Sequence, residues 1–213
     1  VNPAPHLNVS RVTYIPTGET EALVGYTSLN TVSMTYTVVF SEAARRIGFR
    51  DISTPVVLSG SNIPIEVPVD APKGAYTAGL YVNGGGCDSI YTFIIDISIP
   101  PNIVKHPVSP KGLCDGMSVL ELSVEATGDG LTYQWYHNNT MIPGAQDSVY
   151  RTAYTNDLNG TYHVVIKSRS GVTVTSEPVE VESNTLMIER KWDDVLLIRN
   201  KDVLYTDYQW YKD

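Results

Sequence analysis

Leu131–Asn139 reads LTYQWYHNN, and a near copy, YTDYQWYKD, occupies Tyr205–Asp213. The two QWY triplets lie about 75 residues apart, a distance longer than a solenoid repeat and suited to a small domain. In an extended chain Tyr133 and Trp135 point one way and Gln134 points the other. We therefore expect the stretch to be a half-buried strand of a small β domain that recurs along the chain.

The composition favours strands throughout the 213 residues. Apolar residues make up 42% of the chain, which is ordinary for a globular protein and excludes a disordered one. Thr, Ser, Val, Ile and Tyr dominate, and these residue types are common in sheets. The length allows one large domain or two small ones, so we predict an all-β protein with two small domains.

Residues 1–100 are predicted to form the first β-sandwich, because short alternating runs are separated by Gly, Pro, Asn and Asp. In Ile90–Ser98 one face carries Tyr91, Phe93, Ile95 and Ile97, and the other carries Thr92 and Asp96. Ser41–Gly48 is the one helical segment predicted, with a capping serine and a terminating glycine. The predicted strands are His6–Tyr14, Glu21–Ser28, Ser33–Phe40, Pro55–Leu58, Ile63–Pro68, Ala75–Asn83 and Ile90–Ser98.

Residues 101–183 are predicted to form a second sandwich, with the joint at Ile99-Pro-Pro-Asn102. Two prolines stiffen that joint and cannot donate to a sheet ladder. Val119–Ala126 alternates between apolar and polar side chains, as expected for a strand that covers a core. Asn159–Lys167 (NGTYHVVIK) repeats the Gly-x-Tyr pattern of Lys73–Leu80 (KGAYTAGL), which indicates a shared plan for the two domains.

The pattern Val124 … Trp135 … Gly-x-Tyr162-x-Val164 resembles an immunoglobulin-like domain. The resemblance implies that Trp135 packs in the core and that Tyr162 forms a tyrosine corner. Val124 and Val164 stand where that family has its two disulfide-bonded cysteines. The resemblance therefore implies an apolar pair packed on Trp135, whose dense packing must offset a lost disulfide worth about 2–5 kcal/mol.

Within that family, LTYQWYHNNTMIPGA and GTYHVVIKSRSG look most like the tandem immunoglobulin-like repeats of surface and secreted proteins in Gram-negative bacteria. Residues 184–213, with RKWDDVLLIRN and YQWYKD, look like the opening strands of a third, incomplete module. The resemblance implies a non-catalytic structural or adhesive segment of a larger protein. We expect it to be extracellular or on the cell surface, with its export signal outside this sequence.

Several kinds of chemistry find no support in the sequence. The net charge of −8 argues against nucleic acid and against an anionic membrane surface, and no apolar run approaches the ~18 residues of a membrane helix. Two cysteines, Cys87 and Cys114, provide neither a disulfide framework nor a four-ligand zinc site. No nucleophile elbow, phosphate loop or dinucleotide fingerprint appears, so we predict no enzyme and no cofactor. A calcium ion at Thr127–Gly130 or at Asn156-Asp157 is an alternative to simple turn chemistry.

Aromatic side chains are the remaining functional hint. Tyr136, His137, Tyr150 and Tyr154 are predicted to line one face of the second domain, as aromatics do in many binding surfaces. The alternative function is therefore an accessory module that binds a glycan or a protein through exposed tyrosines. Tyrosines that only decorate a sheet would give the same pattern.

We expect residues 184–213 to be ordered only against the second domain or another copy of the chain, with Trp192 and Trp210 buried at that contact. We also expect the native protein to continue beyond Asp213. A two-stranded hairpin alone is marginal in water and its edges invite pairing, which makes self-association through this segment a prediction. Deleting 184–213 should leave the second domain folded and abolish dimerisation. Sedimentation equilibrium measures the dimer and circular dichroism the fold; a truncated chain that still dimerises would contradict this interpretation.

Overall fold

The computed structural model describes residues 5–28, 33–84 and 86–183, together with the backbone of 188–192 and 195–198. The chain divides into two compact units. The first contains Val1–Asn102 with two short segments, Thr127–Leu131 and Lys167–Val174, that we assigned to the second domain from the sequence. The second unit contains Ile103–Ala126, Thr132–Ile166 and Thr175–Asp213.

The first unit is an immunoglobulin-like β-sandwich, as predicted. Its three-stranded sheet has the order β1-β3-β6, and its five-stranded sheet has the order β2-β8-β7-β4-β5. Alternate side chains of both sheets form one buried core. The strands are β1 Leu7–Val9, β2 Val12–Pro16, β3 Glu21–Ser28, β4 Met34–Phe40, β5 Ile52–Val57, β6 Asn62–Glu66, β7 Gly74–Gly84 and β8 Cys87–Ser98.

The single strand predicted over His6–Tyr14 is wrong, because the structure divides it between the two sheets. β1 pairs antiparallel with β3, whereas β2 pairs parallel with β8. The change of sheet occurs at Ser10 and Arg11: the Ser10 amide donates to Gly25, and the Arg11 carbonyl accepts from Ile94. Alternation of side chains cannot reveal such a crossing, since both halves of the segment are extended.

Proline protects three of the sheet edges in the first unit. Pro16, Pro55 and Pro64 lie in the edge strands β2, β5 and β6. Proline has no amide hydrogen to offer to an incoming strand, so it is tolerated at an edge and discourages pairing with another chain. The fourth edge, β1, has only three residues.

A short helix, α1 (Glu42–Ile47), follows β4, and both of its predicted ends are confirmed. The Ser41 hydroxyl accepts a hydrogen bond from the Ala44 amide at 3.3 Å. Gly48 adopts a φ of 113°, in the left-handed region that favours glycine after a helix. Ala44 is fully buried, so the helix covers one side of the core.

Aromatic rings fill the core of the first unit, where no tryptophan is present. The Phe40 and Phe49 ring centroids lie 4.9 Å apart, and those of Phe49 and Tyr76 lie 4.8 Å apart. The Tyr76 hydroxyl donates to the Pro72 carbonyl, four residues earlier, at 2.7 Å. Burial of this tyrosine raises its pKa. The bond fixes the chain where it enters β7.

The second unit is also an immunoglobulin-like β-sandwich. One sheet has the order β13-β12-β15-β16, with β17 also paired to β15; β10 pairs with β14 and β9 with β11. A short 3₁₀ helix, Asn156–Leu158, precedes β15. The strands are β9 Asn102–Lys105, β10 Val119–Ser123, β11 Glu125–Thr127, β12 Thr132–His137, β13 Thr140–Met141, β14 Val149–Ala153, β15 Gly160–Lys167, β16 Thr173–Thr175 and β17 Val179–Val181.

Trp135 is fully buried in the second unit, and its indole N–H donates to the Asp147 carbonyl at 2.9 Å. Val124, Tyr162 and Val164 are buried as well. The Tyr162 hydroxyl donates to the carbonyl four residues earlier at 2.8 Å, the same bond that Tyr76 makes in the first unit. The Gly-x-Tyr echo in the sequence thus corresponds to one repeated hydrogen bond.

The C-terminal segment contributes two described strands, β18 (Ile188–Trp192) and β19 (Val195–Ile198), which pair antiparallel. Their backbone alone is described. The predicted third module over 184–213, with Trp192 and Trp210 buried, otherwise lies outside the described residues.

We predict that Val164→Ala lowers the free energy of unfolding by about 1–3 kcal/mol, because it leaves a cavity in a fully buried site. Val165→Ala is the matched control, since Val165 lies on the opposite face of the same strand and is only half-buried. Urea denaturation followed by tryptophan fluorescence measures both. Equal losses for the two variants would contradict the packing of Val164 on Trp135 that the resemblance to an immunoglobulin-like domain implies.

Candidate functional site

Tyr136 and His137, two of the four predicted surface aromatics, are half-buried and engaged with neighbouring rings. The Tyr136 ring stacks on His163, with centroids 4.9 Å apart and an interplanar angle of 3°. His137 stacks on Tyr162 at 4.4 Å, and its Nε2 lies 3.0 Å from the Asn159 carbonyl oxygen. These contacts fix the rings within the domain.

Tyr154 is fully buried, so its predicted place on a binding surface is wrong. Its hydroxyl donates to the Asn159 Oδ1. Tyr150 is half-buried, with its ring centroid 6.3 Å from Trp135 and 6.0 Å from Tyr162. Burial raises the pKa of the Tyr150 hydroxyl.

Strand pairing explains this correction. Tyr150 is the register partner of Leu122, whose side chain is buried, and Thr152 is the partner of buried Leu120. Tyr154 continues the same alternation inward, just beyond the end of β14. Tyr154 belongs to the core, whereas Tyr136, His137 and Tyr150 remain half-buried, so the predicted four-residue surface does not form as a whole.

Asp129, one of the two carboxylates considered for a calcium ion, has protein partners within the first unit. Its Oδ2 accepts from the Ile99 amide at 2.8 Å, and its Oδ1 lies 3.3 Å from the Lys73 ammonium. The bond from Ile99 and, to a lesser extent, Lys73 lower the pKa of Asp129. Among the described residues, no group of three His, Cys, Asp or Glu side chains is arranged to hold a metal ion.

Neither cysteine takes part in a disulfide among the described residues. Cys87 is exposed and Cys114 is partly exposed. None of the helices in the described part of the chain has the length and apolar character needed to cross a bilayer.

A concave apolar surface lies on the outer face of the five-stranded sheet of the first unit. Register places Thr37, Tyr81 and Ile90 side by side across β4, β7 and β8. Inward neighbours on the same strands, such as Leu80, are fully buried, so these three side chains must point outward. Together with Val39 they line a groove of about 430 Å³, which we call the Tyr81 groove.

Large apolar side chains remain exposed in the Tyr81 groove. Ile90 is 64% exposed, Tyr81 42% and Val39 39%. Pro55, on the edge strand β5, closes one side. A cluster of exposed apolar groups in a concavity is typical of a binding site, whereas single exposed apolar residues are ordinary.

Gly79 determines how the Tyr81 ring lies. A β-carbon built on Gly79 would be 3.2 Å from Tyr81 Cε2 and 3.6 Å from its hydroxyl oxygen. The Tyr81 ring therefore lies along its own strand and covers Gly79. Because glycine has no side chain, nothing at position 79 holds the ring away from the sheet. Tyr81 thus lies down on the sheet and keeps a large exposed area.

A polar rim closes the other end of the groove. Asn83 and Asp88 are register partners on β7 and β8, and the Asn83 Nδ2 donates to the Asp88 Oδ1 at 2.6 Å. Thr35, on β4, completes the same row. Among the described residues that line the groove, Asp88 carries the only charge.

Our sequence reasoning missed Tyr81 and Ile90, although a signal for them was present. The alternation in Ile90–Ser98 assigns Tyr91 and Phe93 to the core, which leaves Ile90 on the outer face with Thr92. The signal is a large apolar residue at a position that the alternation assigns to the outer face of the sheet. What alternation cannot reveal is that β4, β7 and β8 place such residues next to one another.

Comparison with known proteins adds a likeness of fold. No protein-family model matches the sequence, and no curated protein matches it. The I67–I69 I-band fragment of titin aligns with 86% of this chain and 66% of its own length, at 15% identity and a TM-score of 0.43. Extracellular domains 3–5 of Drosophila OTK align with 84% of this chain and 62% of their own, at 14% identity and a TM-score of 0.48.

The N-terminal four immunoglobulin domains of Dscam1 isoform 6.9 align with 85% of this chain, at 16% identity and a TM-score of 0.37. The chain spans 46% of that fragment, so it is shorter than all three of these neighbours. Such identities concern the fold alone, and function must be argued from the groove.

We predict that Gly79→Val displaces the Tyr81 ring without unfolding the first unit. Gly79 has an ordinary strand backbone that valine readily adopts, but its side chain would occupy the space beneath the ring. Nuclear Overhauser contacts between the Tyr81 ring and residue 79 measure the displacement. Thr77→Val, on the same strand and face, is the control that should leave the ring in place; an unmoved ring in Gly79→Val would contradict this account.

Proposed function

We propose that this chain is a non-catalytic, adhesive segment of a larger cell-surface or secreted protein of a Gram-negative bacterium, and that it attaches to its target through the Tyr81 groove. The observation that carries the proposal is the exposed apolar cluster of Val39, Tyr81 and Ile90 in one concavity. Covering such a cluster stabilises a complex by roughly 25 cal/mol per Å² of apolar surface removed from water.

The composition of the groove supports binding without catalysis. Hydrolysis of a glycoside needs two carboxyl groups, and acyl transfer needs a nucleophile with a neighbouring base. Among its described lining residues the groove has Asp88 as the one carboxylate, and it has neither histidine nor cysteine. Asp88 is already hydrogen-bonded to Asn83.

Two sandwiches built on one plan suit a tandem segment of a larger protein. In each unit a buried tyrosine hydroxyl donates to a carbonyl four residues earlier. Proline in three edge strands of the first unit discourages pairing between sheets of neighbouring molecules. The first unit is therefore poorly suited to edge-to-edge pairing, which is compatible with self-association through 184–213.

A glycan- or protein-binding accessory module is the second candidate, and the exposure of Tyr81 favours it. For this candidate, binding depends on the exposed Tyr81. Tyr154, which the sequence-based prediction included, is buried and cannot take that role. Both candidates use the same groove. They differ in whether the parent protein anchors a cell or delivers another domain to its ligand.

Beads coated with the chain should adhere to surfaces coated with mucin or collagen, and Ile90→Asp should abolish adhesion by placing a second carboxylate in the groove. Leu23→Asp is the matched control, because Leu23 is 51% exposed on β3 of the other sheet. Detachment under flow measures the attachment, and thermal unfolding checks each variant. If the Ile90→Asp beads hold as firmly as the unmodified ones, the groove is not the site of attachment.

A further inference from the structure

We infer that the Tyr81 groove binds a neutral carbohydrate, with one pyranose ring stacked on the Tyr81 side chain. This inference rests on the proposed binding role of the groove and names the chemical class of its ligand. A pyranose has an apolar C–H face bordered by hydroxyl groups. A complementary site therefore needs a flat apolar surface with hydrogen-bonding groups at its edge.

Tyr81 provides the flat surface. Its far edge, from Cε2 to the hydroxyl, lies over Gly79, so the ring rests along the sheet. A side chain at position 79 would push the ring upright and remove the platform. Aromatic rings contribute large contact areas, and tyrosine adds a hydroxyl that can bond to a wet ligand.

Asn83 and Asp88 provide the hydrogen-bonding edge. Their mutual bond uses the Asn83 Nδ2 and the Asp88 Oδ1. The described residues provide no further partner for the Asn83 Oδ1 or the Asp88 Oδ2, so both oxygens can accept from sugar hydroxyls. The Thr35 and Thr37 hydroxyls line the same groove on the next strand.

The polar edge favours a sugar over an apolar peptide. A leucine- or phenylalanine-rich segment would cover Tyr81 and Ile90, but its apolar side chains offer no hydrogen-bond donor to the oxygens of Asn83 and Asp88. Each group left unsatisfied in this way weakens binding substantially. A volume of about 430 Å³ lies within the range of small-molecule sites.

Charge selects among sugars. The described residues lining the groove include no lysine or arginine, and Asp88 is negative. The chain as a whole has a net charge of −8. An acidic sugar would therefore meet repulsion without a compensating cation, whereas a neutral hexose or an N-acetylhexosamine would not.

Saturation-transfer NMR and titration with four probes test the inference: methyl β-glucopyranoside, methyl β-galactopyranoside, N-acetylglucosamine and N-acetylneuraminate. We expect at least one of the three neutral sugars to bind and N-acetylneuraminate not to bind. Tyr81→Ala should weaken binding roughly tenfold, whereas Tyr81→Phe should keep most of it. Tyr14→Ala is the matched control, since Tyr14 is 43% exposed on the same sheet but lies outside the groove.

The inference is overturned if no neutral sugar binds the unmodified chain, or if Tyr81→Ala binds as well as Tyr14→Ala. Thermal unfolding of each variant shows whether a loss is due to misfolding. Preferential binding of N-acetylneuraminate would equally refute a neutral ligand.

Adhesion to mucin before and after enzymatic deglycosylation separates this inference from the proposed function. Adhesion that depends on Ile90 and disappears with the glycans supports both. Adhesion that depends on Ile90 but survives deglycosylation refutes the carbohydrate and leaves the adhesive role, with a protein as ligand. Adhesion that is indifferent to Ile90→Asp refutes both.

Discussion

The antiparallel pairing of β7 with β8 determines most of what the first unit presents to its surroundings. It runs without interruption from Gly74 opposite Ile97 to Gly84 opposite Cys87. Because side chains alternate, this one register sends Leu80 and Phe93 into the core and leaves Tyr81 and Ile90 outside. A slip of one residue would exchange the two faces and destroy the core and the groove together.

The second unit depends on a different constraint, the burial of Trp135. The indole N–H must find a partner once it leaves water, and the Asp147 carbonyl supplies it. Val124 and Val164 are both buried, at the positions where the resemblance to an immunoglobulin-like domain implies a disulfide in that family. We expect this core to depend on apolar burial at the two positions and to be sensitive to the loss of side-chain volume there.

The sequence predicted the elements of the fold better than it predicted the surface. The helix over Ser41–Gly48 and the repeated Gly-x-Tyr motif follow from local chemistry: a serine cap, a left-handed glycine and a tyrosine bonded four residues back. The errors concern longer-range relations. His6–Tyr14 is split between two sheets. Tyr154 is buried because the alternation of side chains along β14 continues beyond the end of the strand and turns this residue inward.

By itself, the sequence determined the all-β class, the alternation of each strand and the small tandem domains, because these depend on residues close together in the chain. The Tyr81 groove was decided by tertiary structure. Thr37, Tyr81 and Ile90 belong to three different strands, and only their register makes them neighbours. Alternation indicates which side of a strand a residue occupies. Alternation does not indicate which residue lies beside it on the next strand. Strand register determines these lateral neighbours, and a binding site on a sheet is made of them.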